Sequence, residues 1–394
     1  MNFIEEAAAL QDTLLKYRRY FHQYPEVSRQ EFNTAGKIVE ILSGLGLEVQ
    51  SQVAHPLPGV VALLRGGHPG PTVALRADMD ALSQTEARDC PYRSKNPGAQ
   101  HGCGHDAHMA IQLGAARLLA AHQPELRGNV KFIFQPSEEI YGGAEPMIQA
   151  GVLENPQVDA IFALHVDSGF KTGEIALSYG ETMASSDRLI IRVKGKSAHG
   201  AYPHEGNDAI VTAAHLIVAL QSLISRCKDT FQPAVLSFGY LEGGRMPNSI
   251  SDDVLIRGIL RTLNPTTREF LIQRIQQVVE GIGAGFNSEC VFERQKSYDS
   301  LINDNGLVDF QKSTAARLFG EDKIRFLPHA RMIVEDFAFF AQAVPGAMCF
   351  LGTGNPAKDT EYPLHSTNFD IDEEALSIGT ALQAALAWDY LQNF

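Results

Sequence analysis

Residues 130–139 read Val-Lys-Phe-Ile-Phe-Gln-Pro-Ser-Glu-Glu. A short apolar run of this kind, ending in a turn that carries two adjacent acids, has the form of a buried strand whose carboxyl end opens onto a loop. Its neighbours repeat the pattern. Val60 to Leu64, Val73 to Ala77 and Ala160 to Leu164 are equally short and apolar, and a helical stretch from about Ala107 to His122 lies among them. Such alternation predicts an α/β layer structure around a largely buried sheet. Upstream, Leu10, Leu14, Tyr17 and Phe21 recur at three- and four-residue steps, which predicts a helix. A second helix is expected to open on a capping box, Ser28 with Glu31, and to stop near Gly44.

From about Asp187 the grammar changes to strand (Leu189 to Val193), long helix (Asp208 to Ile224), strands (Ala234 to Phe238, Val254 to Leu260) and helix (Thr266 to Ile282). After Ser297 the first pattern resumes, with a strand at Ala347 to Leu351 and a terminal helix over Glu373 to Leu391. The expectation is a discontinuous first domain interrupted by a compact α+β insert. A chain of 394 residues suits two domains.

The bulk composition narrows the function. With 44% hydrophobic and 20% charged residues the chain is globular, and no apolar run is read as reaching the ~20 residues of a bilayer span, so no membrane role is expected. Glu5, Glu6 and Asp12 precede any basic residue, the wrong polarity for a secretory peptide. A net charge of -13 without a Lys/Arg-rich stretch disfavours nucleic acid as a partner. Five scattered cysteines without a CxxC pair fit a reducing cytoplasm rather than a disulfide framework.

The chemistry concentrates in HGCGHDAHM at 101–109, where three histidines, a cysteine and an aspartate surround two glycines. Thiolate and imidazole are ligands for zinc and its neighbours, and Cys103 with His105 forms the best pair. Gly102 and Gly104 are read as removing side chains that would block approach to the ions. Of the adjacent acids Glu138 and Glu139, one can bind metal while the other handles protons. His165 ends the strand Ala160 to Leu164, and His365 lies in the loop Tyr362 to Asn368. Five protein ligands and a shared water suit two ions, which acidify the water and polarise a carbonyl.

These segments, together with RRYFHQYPEVSRQE from Arg18, RADMDAL at 76–82, FQPSEE at 134–139, LHV at 164–166, AHGAYPHEGNDAI at 198–210 and LHSTNFDIDEEAL at 364–376, resemble the dinuclear-zinc aminoacylase and carboxypeptidase G-like peptidases. The likeness is greatest to their amidohydrolase branch, with hippurate hydrolases and plant auxin-conjugate hydrolases. It implies an α/β catalytic domain, 1–183 and 298–394, with a mixed, mostly parallel sheet flanked by helices, and an inserted smaller α+β dimerisation (lid) domain, 184–297. It implies that Cys103 bridges two divalent ions, zinc first with manganese, cobalt or nickel as alternatives. His105, Glu139, His165 and His365 are then the terminal ligands and Glu138 the general base. In the wider family a His stands where this chain has Asp78, so Asp80 becomes the candidate for orienting a ligand imidazole. His199 is implied to stabilise an oxyanion across a homodimer, and Asn248 and Arg261 to grip a substrate carboxylate. Asn248-Ser249-Ile250-Ser251 departs from the relatives' Asn-Val-Ile-Pro.

The expected activity is cleavage of the amide bond of an N-acyl amino acid or related conjugate by attack of a water shared between the metals. A dipeptidase or carboxypeptidase using the same metals is the rival within enzymes. A non-catalytic metal-binding protein is the rival outside them, although a closed structural site has no use for a spare acid.

Overall fold

In the computed structural model, which describes residues 1–393, the apolar run 130–134 lies within strand Arg127–Gln135. That strand belongs to an eight-stranded sheet in the order Glu48–Val53, Gly59–Arg65, Arg127–Gln135, His68–Asp78, Ala160–Lys171, Gly346–Gly354, Ile175–Leu177, Ile324–Phe326. The third to sixth of these run parallel to one another, with antiparallel pairings on either side of them. Successive side chains of a strand point to opposite faces, yet Phe132, Ile133 and Phe134 are all buried. A sheet buried on both faces explains why these strands read as unbroken apolar runs rather than alternating ones. Helices His105–Ala121 and Ala375–Asn393 pack on each other and on the central strands, and both are buried around most of their circumference.

Backbone packing divides the chain into two units. The first comprises Met1–Gly180, Ile302–Pro328 and the chain from Asp336 onward; the second comprises Glu181–Leu301 and His329–Glu335. The second unit therefore includes the expected segment 184–297 and also takes in a short stretch after residue 328. Its four-stranded antiparallel sheet runs Ala234–Gly243, Asp253–Thr262, Ser185–Lys194, Glu289–Lys296. Leu189, Ile191 and Val193 are fully buried, while Arg188, Arg192 and Lys194 are exposed, the alternation of a sheet covered on one face.

Two helices supply the cover, Ala209–Ser222 and Pro265–Gly285. Each starts where its sequence supplies a cap: Asp208 accepts from the N–H groups of Ile210 and Val211, and Asn264 from those of Thr266 and Thr267. The first of these helices corrects the expectation that no stretch approaches membrane-spanning length. By length and apolarity Ala209–Cys227 qualifies among the described residues. One face of it, with Leu216, Leu220 and Leu223, is packed into the second unit's core, as an amphipathic core helix requires.

The expected capping box at Ser28 and Glu31 is also corrected. Helix Phe32–Gly44 begins one residue after Glu31 without any side-chain cap. Ser28 Oγ instead donates to Asp80 Oδ2 at 2.6 Å, and the Glu31 carboxylate accepts the N–H of Ser137 at 2.7 Å. Both side chains are committed to tertiary partners, so neither is available to the helix terminus.

Candidate metal centre

The parallel strands deliver their carboxyl ends to one edge, since the register sets Asp78 opposite Gln135 and Arg76 opposite Ala163. Ligand sites of open α/β sheets lie beyond that edge. Here the chain leaving one strand carries Asp80, the chain leaving the next carries Glu138 and Glu139, and His165 stands in the third. Helix His105–Ala121 begins at the same place, with Gly104 at its N-cap in the left-handed region (φ 84°). A Cβ on Gly104 would lie 2.2 Å from Val166 Cγ2, and one on Gly102 would lie 2.5 Å from the Gln84 amide. Gly104 is required by backbone conformation and close packing, and a side chain at Gly102 would displace Gln84.

All five expected ligands come together. Cys103 Sγ is 3.6 Å from His165 Nε2, His105 Nε2 is 3.8 Å from Glu139 Oε1, and His365 Nε2 is 3.5 Å from the same oxygen. The donor atoms of Cys103, His105 and His165 lie within 4.8 Å of one another, as do those of Cys103, Glu139 and His365, and those of His105, Glu138 and Glu139. Two of the three imidazoles are aimed by the bond the other nitrogen makes. His105 Nδ1 is 2.8 Å from the backbone carbonyl of Asp80, and His165 Nδ1 is 2.7 Å from that of Val166, so both present Nε2 to the cluster. His365, at φ 67°, donates its N–H to Gly102 O at 2.8 Å, tying the late loop to the cysteine turn.

His108, the third histidine of the helix turn, is excluded from this set. Its Nδ1 is 2.6 Å from Asp78 Oδ1, and its Nε2 accepts the Val166 N–H at 2.9 Å. Both nitrogens are spent, and the ring is neutral; burial holds it down to about 4 despite Asp78.

Asp80 acts at more points than its sequence position suggests. Its carbonyl orients His105, while its carboxylate oxygens accept the N–H of Glu138 and of Glu139, each at 3.0 Å. One buried aspartate thus aims an imidazole and pins the two acids. Ser28, Glu31, Asp78 and His108 complete this support, a role the sequence reading did not give them. The pair Ser28 and Glu31 carried a signal, the misread capping box, whereas Asp78 and His108 lay inside quoted motifs with nothing to mark their pairing.

The charge balance of the cluster calls for cations. Burial disfavours protonated His105, yet the carboxylates of Asp78, Asp80 and Glu139 push it up to about 10. Burial, then Glu139 and Glu138, drives the Cys103 thiol well above its usual range. Glu139, 3.5 Å from its Nε2, raises His365 as well. His105 Nε2 and Glu139 Oε1 are buried without hydrogen-bond partners, a costly arrangement unless something else engages them. A thiol, three imidazoles and a carboxylate are the donors that divalent transition metals take, so the residues present fit the expected ions.

His199, Asn248 and Arg261 lie in the second unit. His199 is exposed on the two-residue strand Ala198–His199, which pairs with Ser249–Ile250. The carbonyl of Asn248 accepts the Gly200 N–H at 2.8 Å, so His199 and Asn248 sit on adjoining turns. Arg261, on strand Asp253–Thr262, has Nη1 buried without a hydrogen-bond partner, and burial lowers its pKa.

A metal-ligand cluster with a spare carboxylate at the carboxyl edge of a mixed, mostly parallel sheet defines a metal-dependent hydrolase. Residues 74–389 match the model of peptidase family M20/M25/M40. Among curated proteins the chain is 37% identical to N-acetyl-L-cysteine deacetylase of Bacillus subtilis over 94% of its length and 86% of the relative's. It is 37% identical to IAA-amino acid hydrolase ILR1-like 4 of Arabidopsis thaliana (96% and 86% covered) and 36% identical to Thermostable carboxypeptidase 1 of Saccharolobus solfataricus (96% and 95%). The solved structure of the Bacillus subtilis YXEP protein, described as a dinuclear metal-binding peptidase of family M20, superposes with a TM-score of 0.85 at 34% identity, covering 98% of this chain and 100% of that one. The chain belongs to peptidase family M20/M25/M40. It is a metal-dependent hydrolase of amide bonds that uses two divalent ions.

Proposed function

We propose that this enzyme releases a free amino acid from an N-acyl amino acid or a related conjugate. Cys103, His105, Glu139, His165 and His365 are the residues that would hold the two ions. The observation that carries this reading is the convergence of all five donors beside a sixth group, Glu138, which the ligand set does not need. Zinc is the metal we favour, because thiolate with imidazole suits it best. When bound, the two ions would acidify a shared water and polarise the scissile carbonyl.

The chain's own residues do the rest. Glu138, buried and held through its N–H by Asp80, accepts the proton of the attacking water and returns it to the leaving amine. His199 is assigned to the developing oxyanion, acting across a homodimer, and Asn248 with Arg261 to the substrate carboxylate. A half-buried guanidinium with Nη1 unpartnered is a natural donor to a carboxylate and supports that assignment. The homodimer is supported by strand Ala234–Gly243 at a sheet edge and by Ile210, Val211 and Val218 exposed on the neighbouring helix. Five free cysteines support a reducing, cytoplasmic setting. The second reading, a dipeptidase or carboxypeptidase, draws on the carboxypeptidase relative.

The experiment is amino-acid release by zinc- or manganese-loaded protein from N-acetyl, N-benzoyl and indole-acetyl amino acids, p-aminobenzoyl-glutamate and dipeptides. Preference for acyl conjugates supports the proposal, and preference for dipeptides moves the enzyme to the peptidase reading. Glu138→Ala should retain both metals and lose most turnover, whereas His105→Ala should lose metal. Near-normal turnover in Glu138→Ala removes the assigned base.

A further inference from the structure

The loop 136–143 carries Glu138 and Glu139, and its two ends meet closely: a Cβ on Gly143 would stand 1.8 Å from Pro136 O. Asp80 and Glu31 hold its opening half through the N–H groups of residues 137 to 139. Its closing end is held from elsewhere. Asp336 Oδ2 accepts the N–H of Gly143 at 2.9 Å and of Ala144 at 3.0 Å, and both oxygens of Asp336 accept from Gln135 Nε2 at 2.8 Å. Asp336 Oδ1 also takes Arg76 Nη2 at 2.9 Å.

Arg76 extends the chain of contacts. Its Nε donates to Gln135 Oε1 at 2.9 Å and its Nη1 to Asp78 Oδ2 at 2.7 Å. Asp78 passes the constraint to His108, and His108 to the N–H of Val166, the residue after His165. Every side chain in this series is buried, with Asp336 fully enclosed. Buried ion pairs contribute little net stability after desolvation, so a fully satisfied series is better suited to fixing geometry than to holding the fold together. A carboxylate that sets a loop backbone on one side and an arginine fork on the other places two distant parts of one site relative to each other.

We propose that Asp336 is a positioning residue for amide hydrolysis, clamping the loop of Glu138 and Glu139 and, through Arg76, Asp78 and His108, the backbone beside His165. This rests on the ligand and base assignments above. An amide at 336 has one acceptor oxygen, which cannot serve Arg76 and the Gly143 and Ala144 N–H groups together.

The test compares wild type, Asp336→Asn, Arg76→Lys and the double variant, with Glu138→Ala alongside. Asp336→Asn is expected to raise the zinc dissociation constant, measured by chelator competition, about tenfold, and to lower kcat at saturating zinc by a similar factor with KM little changed. Arg76→Lys, which loses the fork, should shift both in the same direction, and the double variant should lose no more than the worse single, since both act along one series. Wild-type zinc affinity and kcat in Asp336→Asn overturn the proposal, as does a change confined to the unfolding temperature. Should that variant fail to fold, wild-type values in Arg76→Lys overturn it equally. Retained turnover in Glu138→Ala would instead remove the base assignment, leaving the expected loss of zinc affinity to judge Asp336.

Discussion

Asp80→Asn isolates how far one side chain organises the proposed metal centre. Its carboxylate accepts three bonds, from Ser28 Oγ at 2.6 Å and from the N–H of Glu138 and of Glu139 at 3.0 Å each. The two amides bind different oxygens, so a carboxamide can satisfy one of them and must turn its NH2 toward the other. The variant therefore loses one charge-assisted bond and leaves a buried donor facing a donor, together about 2–4 kcal/mol. Because the backbone carbonyl still holds His105, the loss falls on the loop of the two acids. If half of it is relieved by displacement of Glu139 when metal is absent, zinc affinity falls by about 1–2 kcal/mol, or roughly five- to thirtyfold. Chelator competition gives the affinity, thermal unfolding of metal-free protein gives the remainder, and turnover at saturating zinc reports Glu138. Zinc affinity and kcat both within twofold of wild type, with only the unfolding temperature reduced, would refute the claim that Asp80 aims the acids.

Other outcomes follow from the same geometry. Zinc binding should strengthen as pH rises from about 6 to 8, because His105, raised to about 10, and Cys103, held higher still than a free thiol, must both lose protons to the metal. Calorimetry in two buffers of different ionisation enthalpy should show more than one proton released per chain, and pH-independent affinity would contradict it. Glu31 is raised from 4.5 to about 8 by burial and then by Asp80, so its neutral form favours the fold below about 4.5 and that contribution is lost as pH rises toward 8. Metal-free Glu31→Gln should accordingly gain on wild type by about 1 kcal/mol per pH unit across that window, read from denaturant midpoints at pH 5 and 8. Gly104→Ala meets both a left-handed φ and Val166 Cγ2 at 2.2 Å, and should destabilise by about 2–5 kcal/mol with loss of metal; a folded, metal-replete variant would show that the turn can shift. Val218→Glu should give a monomer by light scattering if the exposed helix face joins two copies, and an unchanged mass places the contact elsewhere.

How much of this was legible depended on whether a residue's role is set by its neighbours in the chain or by its partners in space. Val130 to Phe134 declared a buried strand because five residues suffice to state that pattern, and the helix caps at Asp208 and Asn264 are equally local, each bonding residues two and three positions on. Ser28 and Glu31 show the limit. Their spacing is that of a capping box, but each finds a tertiary partner more than fifty residues away, Asp80 and Ser137, and the helix starts without them. Arg76 and Asp336 lie 260 residues apart, and nothing local marks either as part of one contact series.

The donor types of the candidate metal centre, its two adjacent acids and the α/β layering around it were determined by the amino-acid sequence alone, since they follow from residue chemistry and short-range periodicity. Which histidine turns Nε2 inward and which spends both nitrogens on Asp78 and Val166, and which aspartate pins the acids, was decided only by the tertiary structure. The order of eight strands, and the register that brings residues 78, 135 and 165 to one edge, belong with these. Those choices rest on hydrogen bonds between segments that meet only after the parallel strands have paired, and no local pattern encodes such a meeting.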